Sequence, residues 1–404
     1  MFSTSDRFNV RPIRAGTTAE IARLLAALGI DPRGVEIMAP KGDFHLLRVS
    51  GLRRPAAAML KQEMLAKGGE AAVPRDVYQG GDGEAEVLLM GTAAQFAAVV
   101  RTLAEEPFGL RALGGEIAAV LERLATVPRP IVIGGREFVW GARTYVMGII
   151  NATPDSFSGD GLQNAADPAE AAANQARAMA EAGADLLDIG AESTRPGSQP
   201  IEAEEEMRRL LPVLHAVAAS VDLPLSVDTS KAAVAEAALA HGAHCLNDVW
   251  GLQRDPAIAA AAARAGAPVI VMHNQIGTEY GDLMGDILRF LRRSVARAVE
   301  AGIPEDRVIV DPGIGFGKTR EQNLAVLRDL ADLRCLGRPI LLGTSRKSVI
   351  GLTLDRPVGE RTYGTAATVA LGAAAGADIV RVHDVREMAQ VARMADAICR
   401  SGAW

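Results

Sequence analysis

Residues 224–249 read PLSVDTSKAAVAEAALAHGAHCLNDV. The run at 224–228 is apolar until it ends in Asp228, Ala232 to His241 is an alanine-rich helical stretch, Gly242 stops it, and a second short run at 245–249 carries Asn247 and Asp248. An apolar run of this length, bounded by turn residues, reads as a strand buried on both faces. A glycine after the last helical residue is ordinary C-terminal punctuation. Strand, helix, glycine, strand is one βαβ unit with parallel strands.

The unit repeats outward in both directions. Short apolar runs occur at 145–150, 185–190, 224–228, 245–249, 268–272, 308–311, 339–343 and 379–382, and between most of them lie Ala-rich helical stretches such as Pro168–Ala182. Gly183, Gly242, Gly266, Gly302 and Gly376 each stand between a helix and the next strand. Eight such units in roughly 260 residues match a (β/α)8 TIM barrel. An open doubly wound sheet is the alternative, but no dinucleotide glycine fingerprint follows the first strand.

The barrel accounts for only part of the 404 residues. Pro128-Arg129-Pro130 breaks a helical pattern ending near Leu124, since two prolines so placed cannot continue a helix. We therefore expect a small N-terminal α/β domain at 1–127 and the barrel at 128–404. In the first part, Phe44–Val49 and Glu86–Met90 read as strands. Pro55–Lys67, Ala93–Ala104 and Leu110–Leu124 read as helices, with Met59, Leu60, Met64 and Leu65 as core by helical spacing. Ile131 to Trp140, with Gly134-Gly135 at its centre, reads as a hairpin. The role of the N-terminal domain is not legible.

The net charge of −6 is unevenly spread: residues 1–130 carry 16 Lys+Arg against 15 Asp+Glu, and the remainder 27 against 34. Nothing in this balance suggests nucleic acid or a membrane surface as a partner, and an anion site in the second part must be built locally. Cys245, Cys335 and Cys399 have no metal spacing and read as free thiols of a reducing cytosol. No basic stretch with a following apolar run begins the chain, and no segment has 18 uninterrupted apolar residues, so a cytoplasmic protein is expected.

Functional groups of such a barrel sit where its strands end. In order these ends carry Asn151; Glu192-Ser193-Thr194-Arg195-Pro196-Gly197; Asp228-Thr229-Ser230-Lys231; Asn247-Asp248; His273-Asn274; Asp311-Pro312-Gly313; Ser345-Arg346-Lys347-Ser348; and Arg381-Val382-His383. Any one of them has a bland reading, because a strand-end Asp often caps the next helix and a lone His is usually structural. The set has two chemistries. Asp228, Asn247 and Asp311 suit a heterocycle with several N–H groups, while Arg195, Lys347, Arg381 and His383 suit phosphate oxygens. Asn151 offers a neutral oxygen for a Mg2+ carried in by diphosphate. Gly313-Ile314-Gly315-Phe316-Gly317-Lys318 lacks P-loop spacing and reads as a flexible loop beside the pocket, with Phe316 as an aromatic wall.

These segments resemble dihydropteroate synthases, pterin-binding enzymes of the TIM-barrel class. The matching strings are Met147-Gly148-Ile149-Ile150-Asn151-Ala152-Thr153-Pro154-Asp155-Ser156-Phe157-Ser158, Glu192 to Gly197, Ser226-Val227-Asp228-Thr229, Asn247-Asp248, Asp311 to Lys318, Ser345 to Ser348 and Arg381-Val382-His383-Asp384. They occur in the family's order over about residues 131–400. Two places depart from it. Ser158-Gly159-Asp160-Gly161 stands where many members have Ser-Asp-Gly-Gly, and Asn274 stands where Met is frequent.

The resemblance implies condensation of 7,8-dihydropterin-6-ylmethyl diphosphate with 4-aminobenzoate, a Mg2+ cofactor, a homodimer through barrel helices and a sulfonamide target. Asp228, Asn247, Asp311 and Lys347 would hold the pterin. Asn151, Thr194, Arg195, Arg381 and His383 would hold diphosphate, with Asn151 also on the metal. Phe157, Thr194, Pro196, Phe316 and Ser348 would line the aminobenzoate pocket. Asp228, Asp311, Lys347, Arg381 and His383 would carry the catalysis. The rivals are a pterin-dependent methyltransferase, which would not need the diphosphate cations, and a non-catalytic pterin-binding regulator, which would have lost a ligand.

Overall fold

The computed structural model describes residues 10–13, 15–79, 83–152, 167–193 and 199–400. The chain forms two compact units, Met1–Thr126 and Val127–Trp404.

In the first unit α1 (Thr18–Ala27) and α2 (Pro32–Gly42) precede β1 (Phe44–Arg53), α3 (Arg54–Ala66), β2 (Glu70–Ala72), a 3-10 turn at Arg75–Gln79, β3 (Glu84–Thr92), α4 (Ala93–Leu103) and α5 (Leu110–Ala125). The three strands make an antiparallel sheet in the order β1-β3-β2. The buried stripe of α3 is Ala56, Ala57, Leu60 and Met64, the i, i+4 spacing of one helix face. Leu65 falls off that stripe and is exposed, contrary to the expectation that it belongs to the core. The sequence reading also omits α1, α2 and β2. No residue of α1 is buried, and β2 is three residues long, so neither leaves a strong apolar period.

The second unit opens with β4 (Ile131–Ile133) and β5 (Arg136–Phe138), the expected hairpin. There follow β6 (Tyr145–Asn151), α6 (Pro168–Ala182), β7 (Leu186–Gly190), α7 (Ala203–Ala218), β8 (Leu225–Asp228), α8 (Ala232–Ala240), β9 (Cys245–Asp248), α9 (Ala257–Ala265), β10 (Val269–Met272) and α10 (Leu283–Glu300). The chain ends with β11 (Val308–Asp311), α11 (Arg320–Arg328), β12 (Leu341–Leu342), α12 (Ser348–Leu354), α13 (Thr362–Ala374), β13 (Ile379–Val382) and α14 (Val385–Cys399). Strands β6 to β13 pair in parallel in the order β11-β10-β9-β8-β7-β6-β13-β12. The last gap is bridged between Val310 and Ile340, and the Val310 N–H donates to the Pro339 carbonyl at 2.9 Å. The sheet is a (β/α)8 barrel.

Alternation along each strand sorts the side chains. Val146, Ile150, Leu187, Ile189, Val227, Val380 and Val382 face outward and share a core with Met179, Leu210, Leu214 and Val385 of the helices. Met147, Leu186, Cys245, Ile270, Ile309, Leu341 and Ile379 face inward and share a cluster with Ile131, Ile133, Phe138, Trp140 and Tyr145. The hairpin therefore plugs one end of the barrel. The Phe138 ring of the hairpin packs at a tilt against Tyr145 of β6, with centroids 4.7 Å apart. Two residues on from Leu186, Cys245, Ile309 and Ile379 stand Asp188, Asn247, Asp311 and Arg381. The same inward face that is apolar at the plug is thus polar at the opposite end.

Phe138 is almost fully buried, and Phe138→Ala is expected to cost about 3–5 kcal/mol, the range for a core aromatic. Urea unfolding would read this as a lower midpoint at unchanged slope; a loss under about 1 kcal/mol would mean that the hairpin is not part of the barrel core.

Candidate active site

The mouth is organised around one guanidinium. Arg381 on β13 donates from Nε to Asp188 Oδ2 at 2.6 Å and from Nη2 to Asp228 Oδ2 at 3.1 Å. Asn247 Nδ2 donates to the same Asp188 oxygen at 3.0 Å. Asp188 Oδ1, Asp228 Oδ1 and Ser226 Oγ are buried with no hydrogen-bond partner. Burial pushes the Asp228 carboxyl up from its ordinary value, Arg381 pulls it back, and Asp188 pushes it up again. Asp188 was not anticipated. It sits inside the apolar run Leu186-Leu187-Asp188-Ile189-Gly190, and only its inward parity distinguishes it.

A second cluster lies around β11. Asp311 Oδ1 accepts the Gly313 N–H at 2.7 Å, and burial raises the Asp311 carboxyl while Lys347 lowers it. Lys347 donates from Nζ to the Ile314 carbonyl at 2.5 Å and stands 4.8 Å from the Phe316 ring centre. Burial brings the Lys347 ammonium down to about 8, with Asp311 opposing.

The loop 313–318 is fastened rather than flexible, which corrects the sequence expectation. Lys318 Nζ bonds the Gly313 carbonyl at 2.9 Å, the Phe316 carbonyl at 3.1 Å and His273 Nδ1 at 2.9 Å. Tyr280 donates to the Gly317 carbonyl at 2.8 Å, and Asn323 accepts from the Gly315 N–H at 2.7 Å. Gly313 has φ +69°, and a Cβ there would stand 1.9 Å from the His273 carbonyl oxygen, so only glycine fits. Burial, with Lys318 adding to it, lowers His273 to about 3. This histidine is a neutral acceptor inside the wall.

Two further groups brace the rim. Lys231 bonds Glu192 at 2.7 Å and also the fully buried Glu206, while Glu192 Oε1 accepts the Ile201 N–H at 2.9 Å. This ties down both ends of the segment between β7 and α7. Burial lowers the Lys231 ammonium, and the bonds to Glu192 and Glu206 outweigh it and raise the net value. On the other side Ser345 Oγ accepts the His383 N–H at 3.1 Å and meets His383 Nδ1 at 2.9 Å. Lys231, Glu206 and Lys318 had not been singled out as site residues, and a lysine or glutamate on a helix or loop gives no sign of burial. Asp248, by contrast, is a turn residue, accepting the N–H groups of Trp250 and Leu252.

An open cleft of about 540 Å3 adjoins these groups, lined among others by Glu192, Ser230, Trp250, Asn274, Phe316 and Lys318. Asp228, Asp311, Lys347 and Arg381 are not among its lining; they close on one another in the barrel interior. The structure thus brings together Asp228, Asn247, Asp311, Lys347 and Arg381. It sets Phe316 in the cleft wall and Asn151, half-buried, at the end of β6. Ser348 is exposed and does not line the cleft. The chain turns at Arg346, φ 57°, which leaves Ser348 to begin α12. Phe157, Thr194, Arg195 and Pro196 lie outside the described residues.

Residues 147–383 match the family of pterin binding enzymes. The dihydropteroate synthase of Clostridium beijerinckii is 49% identical over 269 residues, 66% of this chain and 99% of its own length. A Halobacterium salinarum protein named as a bifunctional folylpolyglutamate synthase/dihydropteroate synthase is 41% identical over 382 residues, 93% of this chain and 45% of its own. That span includes most of the first unit. The crystal structure of a Clostridium difficile dihydropteroate synthase in the presence of pteroic acid superimposes with a TM-score of 0.63 at 49% identity, over 65% of this chain and 100% of its own.

Lys231→Met would leave the Glu206 carboxylate buried without its cation. Such a loss costs about 3–5 kcal/mol, readable as a fall in unfolding midpoint, and Lys231→Met with Glu206→Leu should recover most of it. A neutral single variant would show that the Lys231 bond to Glu206 does not stabilise the folded chain.

Proposed function

The chain belongs to the pterin-binding enzyme family, and from the chemistry of its barrel mouth we propose how these residues carry out the reaction. It is a transferase of folate biosynthesis that condenses 7,8-dihydropterin-6-ylmethyl diphosphate with 4-aminobenzoate to give 7,8-dihydropteroate and diphosphate.

The pterin seat is the polar floor. The observation that carries this reading is a pair of buried oxygens without a protein partner, Asp228 Oδ1 and Ser226 Oγ. Buried acceptors are costly unless a donor reaches them, and a flat heterocycle bearing ring N–H and amino groups supplies several. Asp228 and Asp311 accept from the ring, Asn247 adds an amide, and Lys347 donates to a ring carbonyl. Arg381 and His383 face the diphosphate, joined by Thr194 and Arg195 of the second loop. Phe316 forms one wall of the aminobenzoate side, with Phe157, Thr194 and Pro196.

In the reaction the bond from the pterin methylene to the diphosphate oxygen breaks, a bond to the aryl amine nitrogen forms, and the amine loses a proton. Positive charge grows on the pterin while negative charge grows on the leaving group. The carboxylates of Asp228 and Asp311 stabilise the first, and Arg381 and His383 stabilise the second. Such fixed charges lower a barrier because they need no reorganisation. An aryl amine is neutral near pH 7, so no strong base is needed.

The Asn151 side chain has no hydrogen-bond partner among the described residues. No group of three or more His, Cys, Asp or Glu able to hold a metal occurs among them. One neutral oxygen fits Mg2+ held mainly by substrate phosphates. When bound, the ion would neutralise diphosphate charge.

The deciding experiment mixes the full chain with the pterin diphosphate, 4-aminobenzoate and Mg2+ and follows diphosphate and dihydropteroate by chromatography. Both products are expected. Asp311→Ala and Arg381→Ala should each lose about 100-fold in rate, the effect of removing one electrostatic stabiliser; full-rate variants would sink these roles.

Lys347 is a charged donor to the pterin only when protonated, and its value lies at about 8. As pH rises through that value the charge-assisted bond becomes an ordinary one, about half as strong, so kcat/KM for the pterin diphosphate should fall on the alkaline side. Lys347→Arg keeps its charge and should lack that limb; an unchanged limb in the variant would assign it to another group.

A further inference from the structure

We propose that Asp188 is a positioning residue for the leaving-group site: it pins the Nε of Arg381 and so aims the rest of the guanidinium at diphosphate. The inference rests on the functional reading above and extends it to a residue that lies beneath the substrate.

Asp188 has no solvent exposure and lies on β7, while Arg381 is on β13. The bond from Arg381 Nε to Asp188 is 2.6 Å, and that from Nη2 to Asp228 is 3.1 Å. Nη1 makes no hydrogen bond among the described residues. The two carboxylates are therefore unequal partners. Asp228 is the pterin's anchor, so substrate entry competes for it. Asp188 sits deeper, and its short charge-assisted bond is the one that persists. A guanidinium is planar with its donors in a fixed fork. Holding Nε therefore sets the direction of both Nη groups. Nη1 and the second hydrogen of Nη2, neither of which has an acceptor among the described residues, become donors to the diphosphate together.

Asp188 also accepts from Asn247, so the test must separate an effect through Arg381 from one through the pterin seat. Asp188→Asn is nearly isosteric. Its neutral amide oxygen can still accept from Asn247, but it replaces the charge-assisted bond to Arg381 Nε with an ordinary one of roughly half the strength, so the main loss is the hold on Nε.

Calorimetry on the full chain would measure affinity for inorganic diphosphate with Mg2+, and separately for 6-hydroxymethyl-7,8-dihydropterin, which has no diphosphate. The proteins are wild type, Asp188→Asn, Arg381→Ala and the double variant. Asp188→Asn is expected to weaken diphosphate binding by about 10- to 100-fold, as loss of an outer partner does for a metal-bound ligand, and to change pterin alcohol binding far less. The double variant should match Arg381→Ala, because two residues acting through one contact are not additive.

Additive losses, or equal losses for both ligands, would overturn the proposal. If Asp188→Asn does not fold, Arg381→Lys puts the same question. Lysine keeps the charge but has no Nε to pin, so it should bind diphosphate as poorly as alanine, and arginine-like binding would overturn the proposal. The product assay on wild type stands apart. Its failure would remove the functional reading, while the diphosphate arms would still decide whether Asp188 acts through Arg381.

Discussion

A barrel whose strands are covered outside by helices and filled inside by side chains has no water to offer a charge within it. Every ionic group in the interior must then find its partner on another strand. Here that partner is the guanidinium of Arg381, which meets Asp188 from β7 and Asp228 from β8. The requirement is met incompletely, since one oxygen on each carboxylate remains without a protein donor. A site that is short of donors at its floor and supplied with cations at its rim is matched to a ligand with a donor-rich ring at one end and an anion at the other.

The same economy explains why the fold can be read from sequence and part of the site cannot. Eight apolar runs are conspicuous because strands covered on both faces lack a polar alternation, and polar residues at their ends are conspicuous by contrast. Asp228, Asn247, Asp311 and Arg381 were found in this way. Asp188 sits mid-run and is visible only to someone who counts by twos from the plug. Lys231 and Lys318 stand in the strand-end strings without a visible role, and Glu206 stands in none, because their burial is created by elements far away in the chain. The first unit was legible in its longer strands and helices, but α1, with no buried residue, left no stripe to read.

The two sides of the mouth are built by opposite means. The segment 313–318 is tied through side chains from β10, α11 and their neighbourhood, so the aromatic wall at Phe316 is delivered as a finished part. The segment following β7 is tied at its ends, through Glu192 and Ile201. Chemistry that must exclude water is served by a wall held in place on one side.

The plug has a consequence for how this protein can be taken apart. Its hairpin lies upstream of the first barrel strand, and the cluster joining Phe138 and Trp140 to Ile270, Ile309 and Ile379 draws on seven of the eight barrel strands. The smallest portable piece is consequently longer than the catalytic repeat itself. A cut at β6 would remove the stopper and expose the lower barrel to solvent, whereas a cut in the proline-bearing seam before Ile131 keeps it in place. Any recombination that trades barrels between chains must carry the stopper with them, so in this architecture the unit of exchange is set by packing at the end of the barrel farthest from the chemistry.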